Sequence, residues 1–371
     1  MRGLAVVTAL SLVLSATPAV AGTTPCLPAP TGHRAVGTTS LHLQDTSRPD
    51  PWVPSTHREL MVSLYYPAAS ARGPKARYMT PTESRLLLER EGVTTVPPEV
   101  LSTTRTNAVV DAPPVGRRHG SPLVVLSPGF IRGRATLTML AEDLASRGHV
   151  VALVDHTYEN TATTFPDGRV TTCAACEVDD LPGFWEKLGE SRARDVSFVL
   201  DQLTGPLRDR RGANLVDPAR VGMAGHSAGG ASAIQAMLAD HRIRAGVDLD
   251  GSTHAPIPPD GLSRPFLFVG NQGDYVPGDG GPYRGWERDW PLLTGWKRWI
   301  MVDGTVHSSF TDLAVLAGQL GLDIGADIDA HRALAITRAY TAAFFDLHLR
   351  GTPQPLLERP SADYPEVTFV G

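Results

Sequence analysis

Apolar residues in this chain alternate between two patterns: short, mostly unbroken runs and longer stretches with helical spacing. The runs at Leu123–Leu126, Val150–Val154, Val221–Ala224, Ala245–Leu249, Phe266–Val269 and Trp299–Val302 read as strands buried on both faces. Between them, Leu137, Leu140, Ala141 and Leu144 keep the i, i+3, i+4, i+7 spacing of one helix face, with Gly148 as its stop. Val196, Val199, Leu200 and Leu203 mark a second helix, Ala231–Ala239 a third, and Ala330–Leu349 a last one closed by Gly351. Upstream, Ala35–Leu43 and Glu59–Tyr66 alternate polar and apolar positions and predict two antiparallel strands. The order predicts an α/β fold, a mainly parallel central sheet with helices on both faces. Three proline- and glycine-rich stretches, 67–121, 155–190 and 271–297, predict inserted loops or lid segments. Within the first, 83–93 fits an amphipathic lid helix and an ordinary packed helix equally well.

The N-terminus bears on compartment. Arg2 precedes an apolar stretch from Leu4 to Leu14, and Ala19-Val20-Ala21 forms a small-x-small cleavage site. This predicts a secretory signal peptide over 1–21, cut after Ala21, and a secreted chain, 22–371, folding as one domain. The stretch is too short for a membrane span. In an oxidising compartment Cys173 and Cys176 predict a small disulfide staple, with Cys26 left over. They follow the turn Phe165-Pro166-Asp167-Gly168 rather than a strand, against a redox motif, and no second pair at ligand spacing supports zinc. No metal or organic cofactor is implied. The net charge of −5 and the lack of basic runs argue against a nucleic-acid partner.

The candidate chemistry sits in "VGMAGHSAGG". Gly225-His226-Ser227-Ala228-Gly229 is a G-x-S-x-G motif that follows a predicted strand and opens a predicted helix. That context makes Ser227 a candidate nucleophile, because a sharp strand-to-helix turn lifts the hydroxyl above the sheet. A phosphate-binding glycine turn is the bland alternative, and no G-x-G-x-x-G or Walker spacing accompanies it. The oxyanion hole then needs the Ala228 amide and one from the earlier loop in "LVVLSPGFIRG". There Gly129 permits the turn, Phe130 carries the donor, and Pro128 has no N–H. Chain order places the base after the serine. His307 follows the last apolar strand and a turn, whereas His241, His331 and His348 read as surface positions. His254 competes less well, and His226 should point away from the hydroxyl. For the acid, Asp250 ends one predicted strand and Asp274 follows the next, and the pattern leaves both open, while Asp248 reads as inside the sheet.

"PLVVLSPGFIRGRATLTMLAEDLASRGHVVALVDH", "RVGMAGHSAGGASAIQAMLADHRIRAGVDLDG" and "GTVHSSF" resemble the plasma-type platelet-activating-factor acetylhydrolases and their bacterial relatives. The resemblance spans 58–349, broken at the inserted stretches, and implies a calcium-independent serine esterase or lipase of the α/β-hydrolase fold. It implies Asp250 as the acid, through the family's Leu-Asp pair at Leu249-Asp250, and His307 as the base, through its G-x-V-H. Two departures stand out: Ser127-Pro128-Gly129-Phe130 replaces the family's Ser-His-Gly-Leu, and Gly251-Ser252 replaces an apolar-aromatic pair. The expected function is hydrolysis of small-molecule or lipid carboxylic esters through Ser227, His307 and Asp250 and an acyl-enzyme. Alternatives are a polyester hydrolase, an acyltransferase with the same triad, and a non-catalytic secreted binding protein. The last would predict a broken triad. Trp286, Trp290 and Trp296 either line an acyl pocket or pack their own stretch, the second being favoured.

Overall fold

A computed structural model describes residues 24–116, 119–207, 215–275, 277–278 and 285–370; the expected signal peptide over 1–21 lies outside them. Ten strands form one sheet: β1 (Ala35–Pro49), β2 (His57–Ala68), β3 (Val109–Val110), β4 (Ser121–Ser127), β5 (Val150–His156), β6 (Val216–His226), β7 (Ile243–Leu249), β8 (Phe266–Asn271), β9 (Lys297–Val302) and β10 (Val367–Phe369). Their spatial order is β10-β9-β8-β7-β6-β4-β5-β2-β1-β3. The six strands from β9 to β5 run parallel, with antiparallel partners at β10 and β2. This is the α/β-hydrolase arrangement.

The unbroken apolar runs have a direct physical cause. Leu123 and Val125 point into one core layer, with Val196, Val199 and Leu200 of α3 (Phe184–Thr204) and Ile234 and Met237 of α4 (Ala228–Ala239). Val124 and Leu126 point into the other, with Leu140 and Leu144 of α2 (Thr138–Ser146) and Phe344 and Phe345 of the C-terminal helix Ala330–Arg350. A strand covered on both faces has no position left for a polar side chain to reach water. Phe344 and Phe345 are fully buried, contributing about 2 kcal/mol each. Asp329 caps the C-terminal helix by accepting from the Arg332 amide, and Gly351 ends it in the left-handed region at φ 69°.

Several expectations need correction. The stretch 67–121 is not only loop: α1 (Pro81–Arg90) opens on a Thr80/Glu83 capping box. It buries Leu87 and Leu88 against Leu101, Met139 and Leu316, so 83–93 belongs to a packed helix. Helix α3 begins at Phe184, inside the stretch expected to be loop up to 190. The edge strand β10 was not anticipated, since three residues carry no periodic signal. Trp286 is fully buried between Phe268 and Tyr275, as packing of its own stretch requires. His348 is half-buried rather than a free surface residue, with Trp296 and Phe344 packed on its ring.

That cover has a consequence in acid. Burial pushes the His348 imidazole down to about 4. Between pH 6.5 and about 4 the unfolded chain therefore binds a proton there that the native chain refuses, so this site withdraws stability as pH falls. Thermal melts of His348→Gln should lose less Tm than wild type between pH 6.5 and 4.5. Parallel acid limbs in the two proteins would refute the assignment.

Candidate active site

The chain leaves β6 at His226 and enters α4 at Ala228, so Ser227 alone turns the corner. Its backbone lies at φ 56° and ψ −127°, a region costly for a side-chain-bearing residue by about 1–3 kcal/mol. Neighbouring glycines make the bend possible. A Cβ at Gly225 would overlap the Gly229 carbonyl carbon, one at Gly229 would overlap the Ser127 carbonyl, and one at Gly230 the Asp248 carboxyl. The Ser227 amide donates to Leu249 O at 2.8 Å, which ties the turn to the end of β7.

Asp250, immediately past β7, is also left-handed at φ 60°. It is buried, and its Oδ2 accepts from His307 Nδ1 at 2.6 Å. Asn271, at the end of β8, holds the same carboxylate. Its backbone N–H donates to Oδ1 at 2.7 Å and its Nδ2 lies 3.0 and 3.1 Å from the two oxygens. The His307 side chain is half exposed and opens a one-turn helix after β9. His226 Nε2 donates to His307 O at 2.8 Å, so the residue before the serine pins the His307 backbone. Burial and the neighbouring His307 hold the His226 imidazole well below the usual histidine range; it is a neutral donor.

Ser227, His226 and His307 line one cavity of about 110 Å³ with Gly129, Phe130 and Leu313. Gly129 is tight against the turn: a Cβ there would lie 3.3 Å from Ser227 Cβ. Ala228 occupies the first position of α4, where helix amides lack intrahelical acceptors. Phe130 faces Phe184 and Trp185, and Trp185 stacks on His254 at 5.0 Å. His254 is thereby occupied away from Asp250. A larger cavity of about 290 Å³, lined by Tyr65, Tyr78, Arg134 and Asp155, contains none of Ser227, Asp250 or His307.

The three aspartates separate by environment. Asp274 does not meet a histidine; its Oδ2 accepts from Asn271 Nδ2 at 2.9 Å, one residue removed from Asp250. Asp248 is buried in the space that Gly230 and Gly251 leave free. Burial and the Asp250 charge push its carboxyl well above the ordinary value. Gly251 is thus required on steric grounds, since a Cβ would strike the Ser227 carbonyl and Asp248. Sequence reasoning missed Asn271 and the His226 contact; the only signal was their place at strand ends. The Cys173–Cys176 disulfide is formed, and Cys26 is free.

Gly229→Ala should push the Ser127–Pro128 backbone away from the turn. We expect a destabilisation of about 1–3 kcal/mol and at least a tenfold loss of kcat for p-nitrophenyl acetate, on the order of what misplacing one oxyanion donor costs. A variant with wild-type kcat would show that the close approach is dispensable.

The chain is similar to several known proteins. A family model described as platelet-activating factor acetylhydrolase, isoform II, matches residues 212–352. A probable 1-alkyl-2-acetylglycerophosphocholine esterase of Arthroderma benhamiae is 28% identical over 93% of both chains. A bis(hydroxyethyl) terephthalate hydrolase of Streptomyces coelicolor is 29% identical over 41% of this chain and 40% of its own. The solved structure of a ferulic acid esterase from Streptomyces cinnamoneus is 45% identical, with a TM-score of 0.83, over 94% of this chain and all of that one.

Proposed function

Since the chain belongs to the platelet-activating factor acetylhydrolase-like family of α/β-hydrolases and is a carboxylic ester hydrolase, we propose that Ser227 is its nucleophile, His307 its base and Asp250 its acid. The observation that carries this reading is the 2.6 Å bond from His307 Nδ1 to buried Asp250, in a cavity shared with the strained Ser227 turn. With Nδ1–H donated to Asp250, Nε2 is left as the acceptor for the serine proton. Ser227 Oγ attacks the ester carbonyl, and the Phe130 and Ala228 amides hold the oxyanion. His307 returns the proton to the leaving alcohol, and water releases the acid from the acyl-enzyme by the reverse sequence.

The small cavity beside Ser227 favours a short acyl group. A second reading, an aromatic ester or polyester unit, is favoured by the Phe130, Phe184 and Trp185 cluster next to the oxyanion loop and by the ferulic acid and terephthalate ester hydrolases among the relatives. The chain acts outside the cell, as one domain over 22–371 after loss of 1–21. The Cys173–Cys176 disulfide supports that compartment, and among the described residues no helix is long and apolar enough to cross a membrane.

Ser227→Ala should lower p-nitrophenyl acetate turnover at least about 10³-fold, and Asp250→Asn comparably. Asp274→Asn should cost no more than a few-fold; a larger loss there than at Asp250 would move the acid. Turnover of p-nitrophenyl acetate, butyrate and palmitate, methyl ferulate and bis(hydroxyethyl) terephthalate should decide the acyl group. The short-acyl reading expects acetate first and palmitate last, and a kcat/KM led by methyl ferulate would establish the aromatic reading instead.

A further inference from the structure

A second serine–histidine–aspartate chain lies below the oxyanion loop. Ser127 Oγ, at the end of β4, is 2.9 Å from His156 Nε2, at the end of β5. His156 Nδ1 is 2.7 Å from Asp195 Oδ2, on α3. All three are buried, with side chains no more than 1% exposed. One turn before Asp195, Arg192 sends Nη1 to Ser127 Oγ at 3.2 Å and to Pro128 O at 2.5 Å, and its Nε donates to Glu159 Oε2 at 2.7 Å. Arg58 closes the far end on Asp195, Asp50 and the Thr157 carbonyl.

The proton positions follow from these partners. Burial alone would raise the Asp195 carboxyl, but Arg58 and the His156 bond outweigh it and hold it well below the usual carboxylate range. Burial and the Arg192 charge push His156 down. A carboxylate accepts from Nδ1–H, so Nε2 of the neutral ring is an acceptor and takes the Ser127 hydroxyl proton. The Ser127 oxygen in turn accepts from Arg192. Every member is paired, the serine's lone pair is covered by a guanidinium, and no route to solvent remains for a carbonyl carbon. This chain does not attack esters.

Its upper end is what matters. Arg192 grips the Pro128 carbonyl, whose peptide plane leads into Gly129 and the Phe130 amide. The other side of the same carbonyl faces Gly229, where a Cβ would come within 2.7 Å of Pro128 O. One residue past Phe130, Ile131 is held left-handed at φ 64° by its amide's 2.8 Å bond to Glu159 O. Glu159 thus grips Arg192 with its side chain and the loop with its backbone.

We propose that Ser127, His156 and Asp195 form a non-catalytic chain that orients Arg192, and that Arg192 is the positioning residue that aims the Phe130 amide at the oxyanion. This rests on Ser227 as nucleophile and Phe130 as donor. The test uses Arg192→Met, Arg192→Lys and Ser127→Ala, each titrated with diethyl p-nitrophenyl phosphate so that rates refer to competent sites only. We expect kcat per titrated site for p-nitrophenyl acetate to fall at least about tenfold in Arg192→Met, with KM changed less than threefold. Affinity for a trifluoromethyl ketone, which binds as a tetrahedral oxyanion, should fall in parallel with kcat/KM. Arg192→Lys should recover part of both, because an ammonium still reaches one carbonyl, and Ser127→Ala should show a smaller loss of the same kind. Should Arg192→Met not fold, the lysine and alanine variants decide. Lower Tm with wild-type kcat per site and wild-type ketone affinity would make the network a stability element and overturn the proposal. Stoichiometric phosphorylation of Ser227→Ala, lost in Ser127→Ala, would instead overturn the nucleophile assignment, and the proposal with it.

Discussion

The first turn of α4 lies against the ends of β4 and β7 closer than any side chain would allow, and the active-site geometry depends on that approach. Gly225, Gly229, Gly230 and Gly251 each place bare backbone where a Cβ would collide with a carbonyl or carboxyl group. The strained backbone of Ser227 is the visible result. Tight packing is what stores the strain, because a rigid interior leaves the turn no cheaper conformation. The Gly129–Phe130 loop, Asp250 and His307 are then arranged around a serine that has no freedom to retreat into the sheet.

Charge in this region is sorted by depth and partner rather than by residue type. Asp250 faces a half-exposed histidine and the backbone and side-chain amides of one asparagine. Asp248, two residues away, faces an indole N–H and other acids, and its carboxyl is pushed well above the ordinary value. Asp195 is surrounded by guanidinium groups and is held well below the usual carboxylate range. Three buried carboxyl groups thus sit in three different environments, in line with the way buried neighbours set protonation.

The frame was legible because its signals are local. Apolar runs of four or five residues between helical spacings determine a doubly covered parallel sheet, and the G-x-S-x-G motif announces its own turn. The choice between Asp250 and Asp274 was not legible from pattern, since each lies just past a strand and Asn271 binds both carboxylates. His348 misled because the residue that covers it, Trp296, comes from a distant stretch with no periodicity. The Ser127–His156–Asp195 chain was invisible for the same reason. Its members lie on two strands and a helix, at spacings that mean nothing until β4 and β5 pair.

The bond from His226 to the His307 carbonyl spans 81 positions of sequence. It makes the Ser227 turn and the His307 loop a single mechanical body, although the chain between them runs through α4, three strands and a long proline- and glycine-rich excursion. Within that excursion Trp286 is itself fixed, donating its indole N–H to Gly251 O at 2.6 Å. The spacing of serine and histidine is held by a residue adjacent to the serine itself, whatever path the chain takes between them.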